Sequence, residues 1–289
     1  MWYNLLVIQI VEKAYFSRYL DNLRRCVSYY KPEKLNFFPR RHLGQRGIYY
    51  YHPCAKSVLK NTHTMENLVK ELFSVGAHYG YTRTRRHPST KPFLYGTKNR
   101  SDIIDLEKTI KSLDAALEVA KTLGTTGKQL LFVGTKPEAK DAVQKAADTL
   151  GMPYVEVRWI GGTLTNEKQI KSRVALFEDL SEKQDKGELE TITKTKKEKL
   201  LLERKIEKLG RRFGGLSTMK GLPGALVVVD AKEEAIAITE ANMMGIPVIA
   251  LCNTDCDIKT VGYPVVANDA NKKTIEFLLG KLVAAYQGK

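Results

Sequence analysis

Three observations predict a doubly wound parallel α/β sheet of about five strands with an inserted antiparallel helical hairpin. From about residue 101 onward, short apolar runs alternate with longer amphipathic stretches. The runs lack in/out alternation, as Leu226-Val227-Val228-Val229 illustrates, and strands covered on both faces read this way. One long, highly charged segment breaks the rhythm and carries apolar residues at near-heptad spacing instead. Strand–helix alternation of this kind gives a parallel sheet clothed by helices on both sides.

Taken in order, Ser101–Leu106 reads as a short strand and Leu106–Leu123 as a helix with Leu113, Leu117 and Ala120 on its apolar face. Gln129–Val133 is a continuous apolar strand, followed by a helix opened by Pro137 and running to about Leu150. Pro153 precedes a strand at Tyr154–Val157, and Asn166 is a suitable N-cap for the helix after it. Later come a strand at Ala225–Val229, a helix near Glu233–Met244 and a strand at Pro247–Leu251. A last strand at Pro264–Ala267 and the helix Asn271–Tyr286 complete the alternation. The segment that does not fit comprises Glu167–Leu180, with Ile170, Val174 and Phe177, and Leu189–Leu209, with Leu202, Ile206 and Leu209. Gly187 lies between them, so the two arms read as a hairpin inserted at 167–210 into a body formed by 65–166 and 211–289. Arms of about 20 residues at 1.5 Å each would project roughly 30 Å.

Charge narrows the function. Forty-seven basic residues against 32 acidic ones give a net charge of +15, which favours a polyanionic partner. Residues 1–64 hold 11 basic and 3 acidic residues and 8 of the 14 tyrosines, so about half of the excess comes from under a quarter of the chain. No apolar run reaches the roughly 18 residues that span a bilayer. The basic residues lie mainly in loops and on a charge-mixed hairpin, which speaks against a membrane-surface helix. Cys252 and Cys256, beside Asp255 and Asp257, have no second Cys or His pair to complete a tetrahedral metal site, and read as a strand-end thiol and a loop thiol. No histidine follows His87, so histidine acid–base chemistry is excluded from the α/β part.

Two stretches carry the candidate chemistry. Between Glu71 and Asp102 there is no acidic residue, and Arg83, Arg85, Arg86, Lys91, Lys98 and Arg100 interleave with Tyr79, Tyr81, Phe93 and Tyr95. Cations that neutralise phosphates beside rings that stack on bases are what an RNA-contacting loop needs. The second stretch is Arg158-Trp159-Ile160-Gly161-Gly162-Thr163-Leu164-Thr165-Asn166. Its glycine pair frees the backbone for close approach to a phosphate or another chain, with Arg158 and Trp159 offering a cationic fork and a flat apolar face. Arg211 and Arg212, at the hairpin base, are further candidate contacts. A rival reading is an enzyme holding nucleotide and Mg²⁺ on the strand-end loops at Gly134-Thr135-Lys136 and Asp230. However, the full phosphate-loop pattern is absent, and Asp230 reads first as a helix N-cap.

These segments together resemble the universal small-subunit ribosomal protein S-two family. The matching motifs are Leu72-Phe73-Ser74-Val75-Gly76-Ala77-His78-Tyr79-Gly80, Lys91-Pro92-Phe93, Asp102-Ile103-Ile104-Asp105-Leu106, Phe132-Val133-Gly134-Thr135-Lys136 and the 158–166 corner. Gly221-Leu222-Pro223-Gly224-Ala225 through Asp230, Glu240-Ala241-Asn242, Gly245-Ile246-Pro247-Val248 and Asn268-Asp269 follow in order. The resemblance implies a flavodoxin-like domain with a protruding hairpin of the bacterial or organellar type, acting without catalysis, metal or cofactor. It also implies binding to small-subunit ribosomal RNA near the head–body junction, beside neighbouring ribosomal proteins including the large messenger-binding protein, in a cytoplasmic or organellar ribosome. Tyr81 stands where the family commonly has His. Residues 1–64 match nothing in the family, whose start points to Met65. They read as upstream sequence translated from a misplaced start, with an organelle presequence or an added RNA-binding arm as alternatives.

Overall fold

A computed structural model describes residues 65–187 and 195–288. The expectations for residues 1–64, and for the hairpin's connection and the start of its second arm in 188–194, lie outside the described residues. The first described element is a helix, α1 (65–74). It leads into β1 (Tyr79–Thr82), β2 (Leu94–Lys98) and β3 (Ser101–Ile104), which form a three-stranded antiparallel sheet in the order β1-β3-β2. This corrects the sequence reading: residues 82–100 are not simply loop, and Ser101–Ile104 belongs to this sheet and not to the parallel one. The β2–β3 link is the two-residue turn Asn99-Arg100, with φ of 51° and 65°. Positive φ at both central residues matches the right-handed strand twist that tight hairpins require.

The main body follows as α2 (Leu106–Thr126), β4 (Leu130–Val133), α3 (Lys140–Leu150), β5 (Tyr154–Val155), α4 (Glu167–Asp185) and α5 (Lys196–Phe213). Then come β6 (Ala225–Val229), α6 (Ala235–Met243), β7 (Val248–Cys252), β8 (Tyr263–Val266) and α7 (Lys272–Tyr286). The five parallel strands run in the order β5-β4-β6-β7-β8. Numbered within the sheet, that is 2-1-3-4-5, the doubly wound order of flavodoxin-like domains. Strand side chains point alternately to two cores. Leu130, Phe132, Val227, Val229 and Ile249 join Ile110, Leu113, Leu278 and Leu282 of α2 and α7. Leu131, Val133, Leu226 and Val228 face Trp159, Leu164, Ile170, Phe213 and Ile238. Each such fully buried side chain contributes about 1.5–3 kcal/mol, and two filled faces explain why these strands carry no polar alternation.

Local rules set the helix bounds. Asp105 caps α2 by accepting the Glu107 N–H at 3.2 Å, and a stripe through Leu106, Ile110, Leu113, Ala120 and Leu123 is buried at helical spacing. The α2 face closes tightly on the end of α7, where a methyl on Gly124 would fall 2.1 Å from the Tyr286 carbonyl oxygen. Helix α3 starts at Lys140 and not at Pro137, because residues 137–139 form a turn in which the Ala139 and Lys140 N–H groups both bond the Lys136 carbonyl. Strand β5 ends at Val155, two residues short of the sequence reading, since only Tyr154 and Val155 pair with β4. Asn166 precedes α4 without a side-chain cap, at φ −127° and ψ 53°. Helices α4 and α5 pack on one another, with the Phe177 ring against Gly210. The second carries a Thr195–Glu198 capping box and runs to Phe213, four residues beyond the expected end at Leu209.

Candidate nucleic-acid interface

The basic segment folds as a small sheet with its cations turned outward. Arg83, Arg85, Lys91, Lys98 and Arg100 are exposed, and the Arg83 N–H bonds the Arg100 carbonyl at 3.0 Å, which brings two of them together across β1 and β3. Arg85 lies over the Tyr81 ring, 5.4 Å from its centroid.

Arg86 is different. Its Nε donates to Asp102 Oδ2 at 2.6 Å and its Nη2 donates to Asp102 Oδ1 and to Thr97. Asp102 is completely buried, and the bidentate guanidinium holds its carboxyl below the usual carboxylate range against the opposing effect of burial. Arg86 therefore braces the sheet, while Arg83 and Arg85 stay exposed.

Polar contacts seat this sheet on the parallel one. Tyr81 N–H donates to Thr254 Oγ1 at 3.0 Å, His87 N–H donates to the Thr254 carbonyl at 2.8 Å, and Thr90 Oγ1 donates to that carbonyl at 3.0 Å. Lys136, at the end of β4, donates to the Tyr81 hydroxyl at 2.9 Å and pairs with Asp230 at 3.2 Å and Asp269 at 3.1 Å. Burial alone would lower the Lys136 pKa, but the Tyr81 hydroxyl and the two carboxylates outweigh it and raise it. Burial, reinforced by the Asp230 charge, pushes Asp269 up to about 6 against Asn253 and Lys136.

The strand-end loops are thereby filled from within. The Thr135 N–H and hydroxyl both donate to Glu234 Oε1, at 3.2 and 2.5 Å, and Lys136 is committed to Asp230 and Asp269. Gly134 serves packing: a methyl there would meet Val143 Cγ2 at 2.8 Å. Asp230 does cap the turn before α6, accepting the Lys232 and Glu233 N–H groups at 3.1 and 3.4 Å. Cys252 and Cys256 are buried and unbridged, and no cluster of three or more potential metal ligands occurs among the described residues.

The 158–166 corner also looks inward. Trp159 is only 6% exposed and packs in the second core, so its flat face is spent on packing. The corner's donors converge on Glu240 of α6. Trp159 Nε1 and the Gly162 N–H reach Oε1 at 3.2 and 2.8 Å, and the Leu164 and Thr165 N–H groups reach Oε2 at 3.1 and 3.4 Å. Burial would raise the Glu240 pKa, but these donors lower it. Gly162, at φ +93°, provides the left-handed backbone that closes the turn. The glycine pair thus allows close approach to the protein's own carboxylate, and Glu240 is the residue here that sequence reasoning missed. Arg158 and Gly161 remain exposed at the corner's outer side. Arg211 and Arg212 are exposed at the end of α5, with Arg211 paired to Glu207 one turn back.

Fold and surface together define a doubly wound α/β protein that presents a cationic antiparallel sheet. Residues 72–288 match the family described as Ribosomal protein S2, and the chain belongs to that family. It is 40% identical over 217 residues to small ribosomal subunit protein uS2 of Nitratiruptor sp., covering 75% of this chain and 80% of that one. It is 40% identical over 221 residues to the protein of the same name from Chloroflexus aurantiacus, covering 76% and 92%. The uS2 protein of Wolinella succinogenes is 39% identical over 219 residues, covering 76% and 80%.

Proposed function

We propose that this chain is a structural constituent of the small ribosomal subunit that binds its RNA near the head–body junction through the β1–β3 sheet. Exposed Arg83, Arg85, Lys91, Lys98 and Arg100 supply the phosphate contacts, and the cation-rich, acid-free stretch from Leu72 to Ser101 is the observation that carries this reading. Arg158 and the Arg211-Arg212 pair add a second cationic edge at the base of α4 and α5. These two helices form an antiparallel hairpin that projects from the body and meets RNA or neighbouring ribosomal proteins, the large messenger-binding protein among them. In this reading the body spans 65–166 and 211–289, and the protein works in the ribosome, cytoplasmic or organellar.

The test is co-sedimentation of the full chain with small ribosomal subunits, comparing wild type with Arg83→Glu/Arg85→Glu/Arg100→Glu. Loss of association in the folded triple variant supports this interface. Undiminished association moves the contact to the Arg158 and Arg211 edge, and a folded wild type that never associates overturns the ribosomal reading.

A further inference from the structure

Beside the cationic sheet stands a preassembled stack of three rings. Phe73 and His78 are stacked with centroids 4.2 Å apart and planes 8° from parallel, and Tyr79 lies 4.0 Å from His78 at a 39° tilt. Two rings cannot share one face of an imidazole at that spacing, so Phe73 and Tyr79 flank His78 on opposite sides. The centre is closed, with His78 at 9% exposure, while the ends are open, with Phe73 at 36% and Tyr79 at 58%.

The stack is built to hold its shape. It forms where the chain turns from α1 into β1, and side chains around the start of α7 clamp that turn. Asn271 Nδ2 and Thr274 Oγ1 each donate to the Val75 carbonyl at 2.8 Å, and Asn268 Nδ2 donates to the Gly76 carbonyl at 3.1 Å. The Ala77 N–H bonds back to the Leu72 carbonyl at 3.0 Å. Burial lowers the His78 pKa and so favours the neutral form of the middle ring. Tyr79 opens the strand that leads to Arg83, about 13 Å further along at the usual strand rise. An open aromatic face at the edge of a cationic surface suits one chemistry above others: a flat, neutral base whose own backbone is anionic.

We infer that the Phe73–His78–Tyr79 stack is a platform on which an unpaired RNA base stacks against the outer face of Tyr79. This deepens the proposed function and rests on it. It assigns to three rings a base-binding role distinct from the phosphate contacts of Arg83, Arg85 and Arg100. Stacking of this kind tolerates any base, since each has a π face.

The experiment uses the full chain and a short single-stranded oligoadenylate carrying one 2-aminopurine, whose fluorescence is quenched on stacking. Wild type and Tyr79→Phe should bind and quench. Tyr79→Leu should lose the quench and bind about tenfold more weakly, with an unchanged salt slope because no phosphate contact is lost. An unchanged thermal midpoint in Tyr79→Leu confirms that its fold is intact. Binding and quenching by Tyr79→Leu like wild type overturns the platform while leaving the phosphate reading standing, as does wild-type binding without a quench. Failure of wild type to bind either this probe or small-subunit RNA at low salt overturns both. Binding to small-subunit RNA alone overturns only the platform.

Discussion

Glu240 and Trp159, 81 residues apart, meet inside the second core, where the indole Nε1 donates to Glu240 Oε1 at 3.2 Å. The carboxylate gathers the N–H groups of Gly162, Leu164 and Thr165 as well, so a single α6 side chain sets the shape of the corner. Hydrogen bonds to a charged group contribute about 1.5–3 kcal/mol each, and orphaned buried donors cost a similar amount. Glu240→Ala should therefore destabilise the protein by about 3 kcal/mol or more. In a Trp2→Phe background the remaining indole emission should shift to the red. The Glu240 carboxyl has a lowered pKa in the fold, so its stabilisation is present above the ordinary carboxylate range and is lost as pH falls through the folded value. Denaturant midpoints below about pH 4.5 should show that acid loss in wild type and not in Glu240→Gln.

Arg86 and Arg85 are adjacent in sequence but should separate in experiment. Arg86→Ala strands a fully buried Asp102 and should lower stability by about 3 kcal/mol. Arg85→Glu should leave the thermal midpoint within about 1 °C, because exposed substitutions cost little. It should weaken RNA binding and reduce the salt slope by about 1. The opposite pattern would refute this division of labour between the two arginines.

Asp269 gives a pH signature of the opposite sign to that of Glu240. Its carboxyl is raised to about 6, so its contribution is fully present below the unfolded carboxylate value of about 3.9. It is lost as pH rises through about 6. Lys136, Asp230 and Asn253 are the groups facing it. Between pH 4 and 6, Asp269→Asn should remove a stability slope of up to about 1.4 kcal/mol per pH unit. Chemical denaturation at half-unit intervals would show it, and parallel curves would refute it.

Gly134→Ala tests the strand-end loops. The added methyl collides with Val143 and approaches Ala139, so overpacking should cost about 1–3 kcal/mol. Mg²⁺ and ATP should leave the wild-type thermal midpoint unchanged, since Thr135 and Lys136 are committed to internal carboxylates. A midpoint that rises with nucleotide concentration would revive the enzyme reading.

What was legible in the sequence was what local pattern encodes. The runs at Leu130–Val133, Ala225–Val229 and Val248–Cys252 are strands because both faces are covered, and no polar residue interrupts them. The antiparallel sheet was not legible: its strands are four or five residues long, half exposed, and joined by an Asn-Arg turn in place of an Asn-Gly one. Inward and outward cations also look alike in one dimension. Asp102, the first acid after a long basic stretch, was the available hint that one arginine had an internal partner. Glu240, flanked by Ala237, Ile238 and Ala241 on a helix, was the corresponding hint for the corner.

The seating of the β1–β3 sheet on Thr254 and Lys136 has a consequence for how a partner meets it. These contacts form when the chain folds, so the conformational entropy of ordering the cationic strands is already lost before any encounter. Association then resembles the docking of two finished surfaces, with a small heat-capacity change and little folding upon binding. Ribonucleic acid arriving at this face would adapt to the protein more than the protein adapts to it.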